Sequence, residues 1–192
     1  MAVPDSVARP VSVKPSHGFP AVADAQARVL VLGSLPGQVS LREQQYYAQP
    51  QNAFWKIMGE LFGAFPALPY AERLQVLMAH RVALWDVCAS AERPGSLDGS
   101  IRPASVVPND FAQLFSSHRR IELICFNGQK AASLYRRMVL PALPRTAKVI
   151  QRETLPSTSP AFAGMPFEEK LARWSLLRAA CQARAPALPP GI

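Results

Sequence analysis

The stretch from Gly33 to Trp55, GSLPGQVSLREQQYYAQPQNAFW, carries more hydrogen-bonding and aromatic side chains than a packed connection needs. Gly33, Ser34, Leu35, Pro36 and Gly37 make a turn whose two glycines let the backbone bend sharply and approach a ligand closely. The turn is neither a Walker loop, since no Gly-Lys-Ser/Thr follows, nor a G-x-G-x-x-G fingerprint. Tyr46 and Tyr47 can offer a face to a flat ring, a contact worth about 1–3 kcal/mol per base. One of the two is expected to pack structurally instead. Asn52 reads either as the N-cap of the following helix or as an amide reaching a substrate or a water. Asn127, at a strand end before Gly128, is either a left-handed turn residue or a donor–acceptor pair aimed at a base edge. Ser157, Thr158 and Ser159 lie between two prolines. They suit phosphate contacts or, equally, a rigid hydroxyl-rich turn. Phe162 beyond them has the character of a wedge into a base stack. Asp86, next to Trp85 in a strand-like run, is the carboxylate expected to be partly buried and is read as structural.

Other chemistries find little support. His17, His80 and His118 are scattered, with no metal-ligand spacing. Cys88, Cys125 and Cys181 form no C-x-x-C pair and argue against a disulfide framework or a four-cysteine metal site. There is no G-x-S-x-G elbow.

The elements that must position these residues follow from periodicity. Residues 1–27 read as an extended leader, with Phe19 and Val22 as the apolar residues able to tack it down. RVLVL, residues 28–32, reads as the first strand. Phe54, Ile57, Met58, Leu61 and Phe62 recur at helical spacing, so a helix is predicted from Asn52 to near Gly63. Tyr70 to His80 reads as a second helix and Val82 to Cys88 as the second strand. A long polar loop follows to Pro108. Asn109 is a plausible cap for DFAQLFSSH, and Ile121 to Phe126 reads as the third strand. Gly128 to Met138 reads as a helix, Ala147 to Gln151 as the fourth strand and Phe167 to Gln182 as the last helix, with residues 183–192 a loose tail. Short apolar strands alternating with helices imply an α/β fold with a parallel sheet covered on both faces. Ligands then bind beyond the carboxyl ends of the strands, where Gly33–Asn52, Asn127–Lys130 and Leu155–Gly164 meet.

The 192 residues are 49% hydrophobic, enough for one domain with a full core. The net charge of +8 favours an anionic partner, nucleic acid before membrane surface. No apolar run approaches the ~18 residues of a membrane span. The N-terminus has no secretory h-region, and the cysteine usage suits a reducing compartment, so a cytoplasmic protein is expected.

GSLPGQVSLREQQYYAQPQNAFW resembles the first motif of the uracil-DNA glycosylase superfamily, and within it most resembles the hypoxanthine-DNA (deoxyinosine) glycosylases. CFNGQKA and LPSTSPAFA are similar to that group's middle and last motifs and stand in the same order. The resemblance spans residues 28–182, taken as the catalytic domain. It implies a three-layer α/β/α sandwich with a central, mostly parallel four-stranded sheet. It also implies hydrolysis of the N-glycosidic bond of a deaminated base after base flipping, without metal or cofactor. By resemblance Asn52 and Asn127 are the catalytic or base-binding asparagines. Gly33, Ser34, Leu35, Pro36, Gly37, Tyr47 and Phe54 then form the base-binding wall, Tyr47 stacking on the flipped base. Ser157, Thr158, Ser159, Phe162 and Lys130 contact the DNA, and a monomer is expected. Leu35 stands where mismatch-specific relatives carry Asn and uracil glycosylases an acid. Leu155 stands where they carry His or Asn. A leucine cannot orient a water, which favours a purine-accepting member. A uracil or mismatch-specific glycosylase, and a non-catalytic nucleic-acid-binding module, are the alternatives.

Overall fold

Strand β2 (Val29–Gly33) lies at the centre of the sheet, and all five of its residues are buried. Its side chains alternate between two cores, as the two-residue period of a strand requires. Leu30 and Leu32 face one cluster and Val29 and Val31 the other. Because both faces are covered, the strand reads as a continuous apolar run. The computed structural model describes residues 14–182.

Four parallel strands form the main sheet. In spatial order they are β3 (Val82–Asp86), β2, β6 (Leu123–Asn127) and β7 (Gln151–Leu155). Helices α2 (Phe54–Phe62), α3 (Tyr70–Ala79), α7 (Phe167–Trp174) and α8 (Leu176–Gln182) supply the core on one face through Phe54, Ile57, Met58, Leu77, Trp174 and Leu177. Helices α4 (Phe111–Ser117) and α5 (Gln129–Leu134) supply the other through Phe111, Leu114, Phe115, Ala131 and Leu134. The α/β layering is therefore that of a helix–sheet–helix sandwich.

Several elements differ from the sequence reading. The fourth strand is Gln151–Leu155, not Ala147–Gln151; Arg145–Lys148 is instead a single helical turn, α6. The strand escaped notice because it is an edge strand whose first four residues are exposed. Its charged residues blunt an open edge and leave no apolar alternation to read. Asp110, not Asn109, caps α4, its carboxylate accepting from Gln113 N at 2.9 Å. Asn109 is spent elsewhere, donating through Nδ2 to the Asp86 carbonyl at 2.8 Å. The second strand stops at Asp86, and Cys88–Ala91 becomes β4 of a small antiparallel sheet with β1 (Ser16–His17) and β5 (Val107–Pro108). The Gly33–Trp55 stretch contains a short helix, α1 (Gln38–Glu43). The last helix breaks at Ser175, whose hydroxyl bonds back to the Ala172 carbonyl at 2.7 Å and competes with the helical ladder.

Residues 14–27 are fastened along the sheet: Ser16–His17 pairs with Ala91 and Ser90, and Val22 exchanges backbone bonds with Leu84. The rest of the leader, 1–13, and the tail, 183–192, lie outside the described residues.

Candidate active site

Strand register sets the floor of the site. Gly33 lies opposite Asp86 on β3, and Leu32 opposite Phe126 on β6, so Asp86, Gly33 and Asn127 stand in a row at the carboxyl rim. Above the row opens a cavity of about 670 Å³, within the ordinary size of a small-molecule site. Gly33 is needed there for closeness: a Cβ at this position would collide with Asp86 Oδ1 and press on Tyr47 Oη.

Three connections wall the cavity. One is the GSLPG turn with Tyr47 and Asn52, another the end of β6 at Asn127, and the last the loop Ser157 to Phe162. Asn127 and Thr158 knit two of them reciprocally: Asn127 Nδ2 donates to Thr158 Oγ1, and Thr158 N donates to Asn127 Oδ1, each at 2.8 Å. The Thr158 carbonyl then accepts from Ala53 N at 3.0 Å, which ties in the segment beside Asn52. Asn127 is 7% exposed and Thr158 1%, so these bonds are made away from water.

Two tryptophans fasten the walling segments from behind, and a third holds the N-terminal segment. Trp55 Nε1 donates to the Tyr46 carbonyl at 2.9 Å, Trp174 Nε1 to Pro156 at 3.0 Å, and Trp85 Nε1 to Phe19 at 3.0 Å. Arg93 does this for the glycine turn. It is buried and donates to the carbonyls of Leu35, at 3.0 Å, and Pro36. Ser34 Oγ donates to Asp98 Oδ1 at 2.6 Å, and Gln38 N donates to Ser96 Oγ at 3.1 Å, which brings the loop 96–99 onto the cavity wall.

The two tyrosines part company. Tyr46 is buried, its hydroxyl donating to the Pro20 carbonyl at 3.2 Å and its ring edge-on to Phe19. Tyr47 lines the cavity with a left-handed backbone, φ 56°, an unusual conformation for a bulky residue. Its ring stacks on Phe54, centroids 3.8 Å apart. Phe54 therefore corrects the expectation of a base-binding role. It is fully buried behind Tyr47 and outside the cavity wall, so it backs a ring that lines the cavity. Lys130, on α5, also lies outside the cavity wall. Gly33, Ser34, Leu35, Pro36, Gly37, Asn52, Asn127, Ser157, Thr158, Ser159 and Phe162 all line it.

Asn52 sits one position ahead of the helix N-cap, Ala53, and its Oδ1 accepts from Phe54 N at 3.0 Å. In the last loop Ser157 Oγ accepts from Ser159 N at 3.2 Å and Ser159 Oγ from Ala161 N at 3.3 Å. Each hydroxyl is thus held as a turn acceptor while keeping its own proton to donate. Phe162 is 41% exposed at the mouth, and Lys170 fixes it by donating to its carbonyl at 2.7 Å with Nζ 5.2 Å from the ring centroid.

The residue that the sequence reading undervalued is Asp86. It is 3% exposed, lines the cavity, and its Oδ2 has no hydrogen-bond partner among the described residues. Burial pushes its carboxyl up to about 8; the Asp98 carboxylate adds to this and Arg93 opposes it. Tyr47 Oη nearby also meets no hydrogen-bond geometry among the described residues, and burial, then Asp86, raises that phenol as well, with the Asn127 side chain opposing. The signal for Asp86 was its place at the carboxyl end of the second strand. Arg93 and Asp98 carried none, since a polar loop does not announce which of its charges turn inward. Arg102, on the same loop, instead pairs with Glu92 at 2.7 Å and does not line the cavity. Among the described residues no three His, Cys, Asp or Glu side chains are grouped to hold a metal ion, and no helix is long and apolar enough to cross a membrane.

Residues 19–178 match the uracil DNA glycosylase superfamily. The chain is 42% identical over 116 residues to a hypoxanthine DNA glycosylase of Methanosarcina acetivorans, covering 60% of this chain and 72% of that one. It is 38% identical, over the same shares, to a hypoxanthine DNA glycosylase of Methanosarcina barkeri. A solution NMR structure of a candidate uracil DNA glycosylase from Methanosarcina acetivorans superposes with a TM-score of 0.71 at 34% identity, covering 87% of this chain and 99% of that one.

Proposed function

Because the chain belongs to the uracil DNA glycosylase superfamily, we propose that it hydrolyses the N-glycosidic bond of a deaminated base in DNA, hypoxanthine foremost. The observation that carries this reading is the Asn127–Thr158 lock, which, with the bond from Ala53 N to the Thr158 carbonyl, gathers all three motif segments around one cavity. The relatives named hypoxanthine DNA glycosylases support the choice of base.

The deaminated nucleotide is flipped out of the duplex, at least cost where it is poorly paired. Its base enters the cavity and stacks on Tyr47, which Phe54 holds from behind. Ser157 and Ser159 donate their hydroxyl protons to flanking phosphates, and Phe162 fills the space the base vacates. Bond cleavage leaves the electron pair on the base and positive character on the sugar C1′. Asn127, its amide locked by Thr158, stands ready to donate its second Nδ2 proton to the charge that develops on the base. Donors fixed in advance lower the barrier because nothing reorganises during the reaction. Asn52 is similarly set. The Phe54 amide takes one lone pair of its Oδ1 and fixes its orientation, leaving the other to accept from a water. That water adds to C1′ and gives up a proton to solvent. The reaction needs no metal, so a chelator leaves excision intact.

Single-turnover excision from duplexes with one hypoxanthine, uracil or xanthine tests the reading. The wild type releases hypoxanthine, and Asn52→Ala loses about 10²–10³ in rate with DNA binding retained. The fold cost of Asn52→Ala is about 1 kcal/mol, that of the lost bond to the Phe54 amide. A near wild-type rate for this variant would remove Asn52 from the chemistry. Uracil is the second reading, favoured by the structural relative, and faster release of uracil would install it.

A further inference from the structure

The least explained polar group in the molecule is Asp86 Oδ2. It is buried and has no hydrogen-bond partner among the described residues; Asp86 lines the cavity floor, and its other oxygen, Oδ1, occupies the room left by the missing side chain of Gly33. A buried carboxyl with no internal partner costs free energy, so a structural role does not account for it. A carboxyl that keeps its proton presents a donor and an acceptor side by side. The lactam edge of a deaminated base, N–H beside C=O, presents the complement.

We propose that Asp86, in its protonated form, reads the lactam edge of the flipped base, its O–H donating to the lactam oxygen and its carbonyl accepting from the lactam N–H. The inference rests on the glycosylase reading and deepens it. The neutral form matters twice. An ionised Asp86 would face the lactam oxygen with a lone pair, and it would repel the negative charge that builds on the departing base. The surroundings favour neutrality. Asp86 is faced by the Asp98 carboxylate, by Tyr46 and Tyr47 and by the Cys88 thiol, with Arg93 as the opposing charge. Arg93 is itself engaged with the Leu35 and Pro36 carbonyls. The group titrates at about 8, so it holds its proton at neutral pH and loses it just above.

The test is single-turnover excision of hypoxanthine from about pH 6 to about pH 9.5 for wild type, Asp86→Asn and Asp86→Ala. The base's own lactam also ionises in alkali, equally for every variant, so the difference between profiles is what is read. Wild type should fall about tenfold per pH unit above its alkaline midpoint. Asp86→Asn, which keeps a donor and an acceptor but cannot ionise, should be slower by about tenfold at neutral pH and free of that limb. Asp86→Ala should lose about 10²–10³ throughout while binding an abasic duplex like wild type, which also shows that it folds. If Asp86→Asn keeps the wild-type alkaline loss, or Asp86→Ala excises within about threefold of wild type, the assignment is overturned and the glycosylase reading stands. A wild type that excises no deaminated base overturns the glycosylase reading itself.

Discussion

At the scale of single residues, the site combines groups fixed by partners with groups left without them. Asn127 and Asn52 have their orientation imposed by Thr158 and by the Phe54 amide. Asp86 Oδ2 and Tyr47 Oη meet no hydrogen-bond geometry with any of the described residues. The first kind suits transition-state stabilisation, which needs groups held in place; the second suits recognition, which needs capacity in reserve. Asp86 also leaves a mark on stability. Its folded-state pKa, about 8, lies above the ordinary carboxyl value, so folding takes up a proton between the two. The unfolded chain then binds fewer protons than the native one, and stability falls as pH rises through this window, by up to about 1.4 kcal/mol per unit. Below the ordinary carboxyl range both states are neutral; above about 8 both are charged and the loss levels off. Thermal melts of wild type and Asp86→Asn should therefore diverge from about pH 4 to about pH 8, the amide variant becoming the more stable. A gap that stays constant with pH would contradict a protonated, buried Asp86.

At the scale of elements, strand ends supply the row Asp86, Gly33 and Asn127, and loops supply the walls that stand over it. Loops of this kind are made rigid by side chains that reach backbone carbonyls. Trp55, Trp174 and Arg93 each do so, and the Asn127–Thr158 pair joins the end of β6 to the last loop. Thr158→Val is the sharpest probe. It conserves shape and the backbone bonds but leaves Asn127 Nδ2 without its acceptor. A buried unsatisfied donor costs about 1–3 kcal/mol. Excision should fall at least about tenfold as the amide loses its fixed orientation. A variant that melts and excises like wild type would show that the lock contributes neither order nor rate.

At the scale of the whole molecule, the net charge of +8 supports long-range attraction to DNA. Each phosphate neutralised contributes a slope of about −0.9 in log affinity against log salt. Two to three phosphates neutralised by Lys or Arg side chains would weaken binding to undamaged duplex by about tenfold or more between about 50 and about 200 mM salt. Binding that is flat over this range would argue against phosphate contacts as the source of affinity.

The sequence by itself determined the frame. Val29 to Leu32, Ile124 to Phe126 and the Phe54–Phe62 face are apolar patterns that only a covered sheet and its helices satisfy, and that physics is local and periodic. It also placed the motif loops at the carboxyl ends of strands, where their polar side chains now line one cavity. Tertiary structure alone decided which polar groups spend their hydrogen bonds and which keep them. Asn109 became a support for Asp86, Phe54 a backing for Tyr47, and β7 a polar edge that no periodicity marked. Those outcomes depend on partners distant in the chain, such as Pro156 for Trp174, 18 residues away, or Leu35 for Arg93, 58 residues away. The raised pKa of Asp86 comes from burial by distant segments and from Asp98 and Arg93 on a separate loop. Desolvation and charge proximity are properties of packed neighbours, and a neighbour in space leaves no trace in the order of the residues.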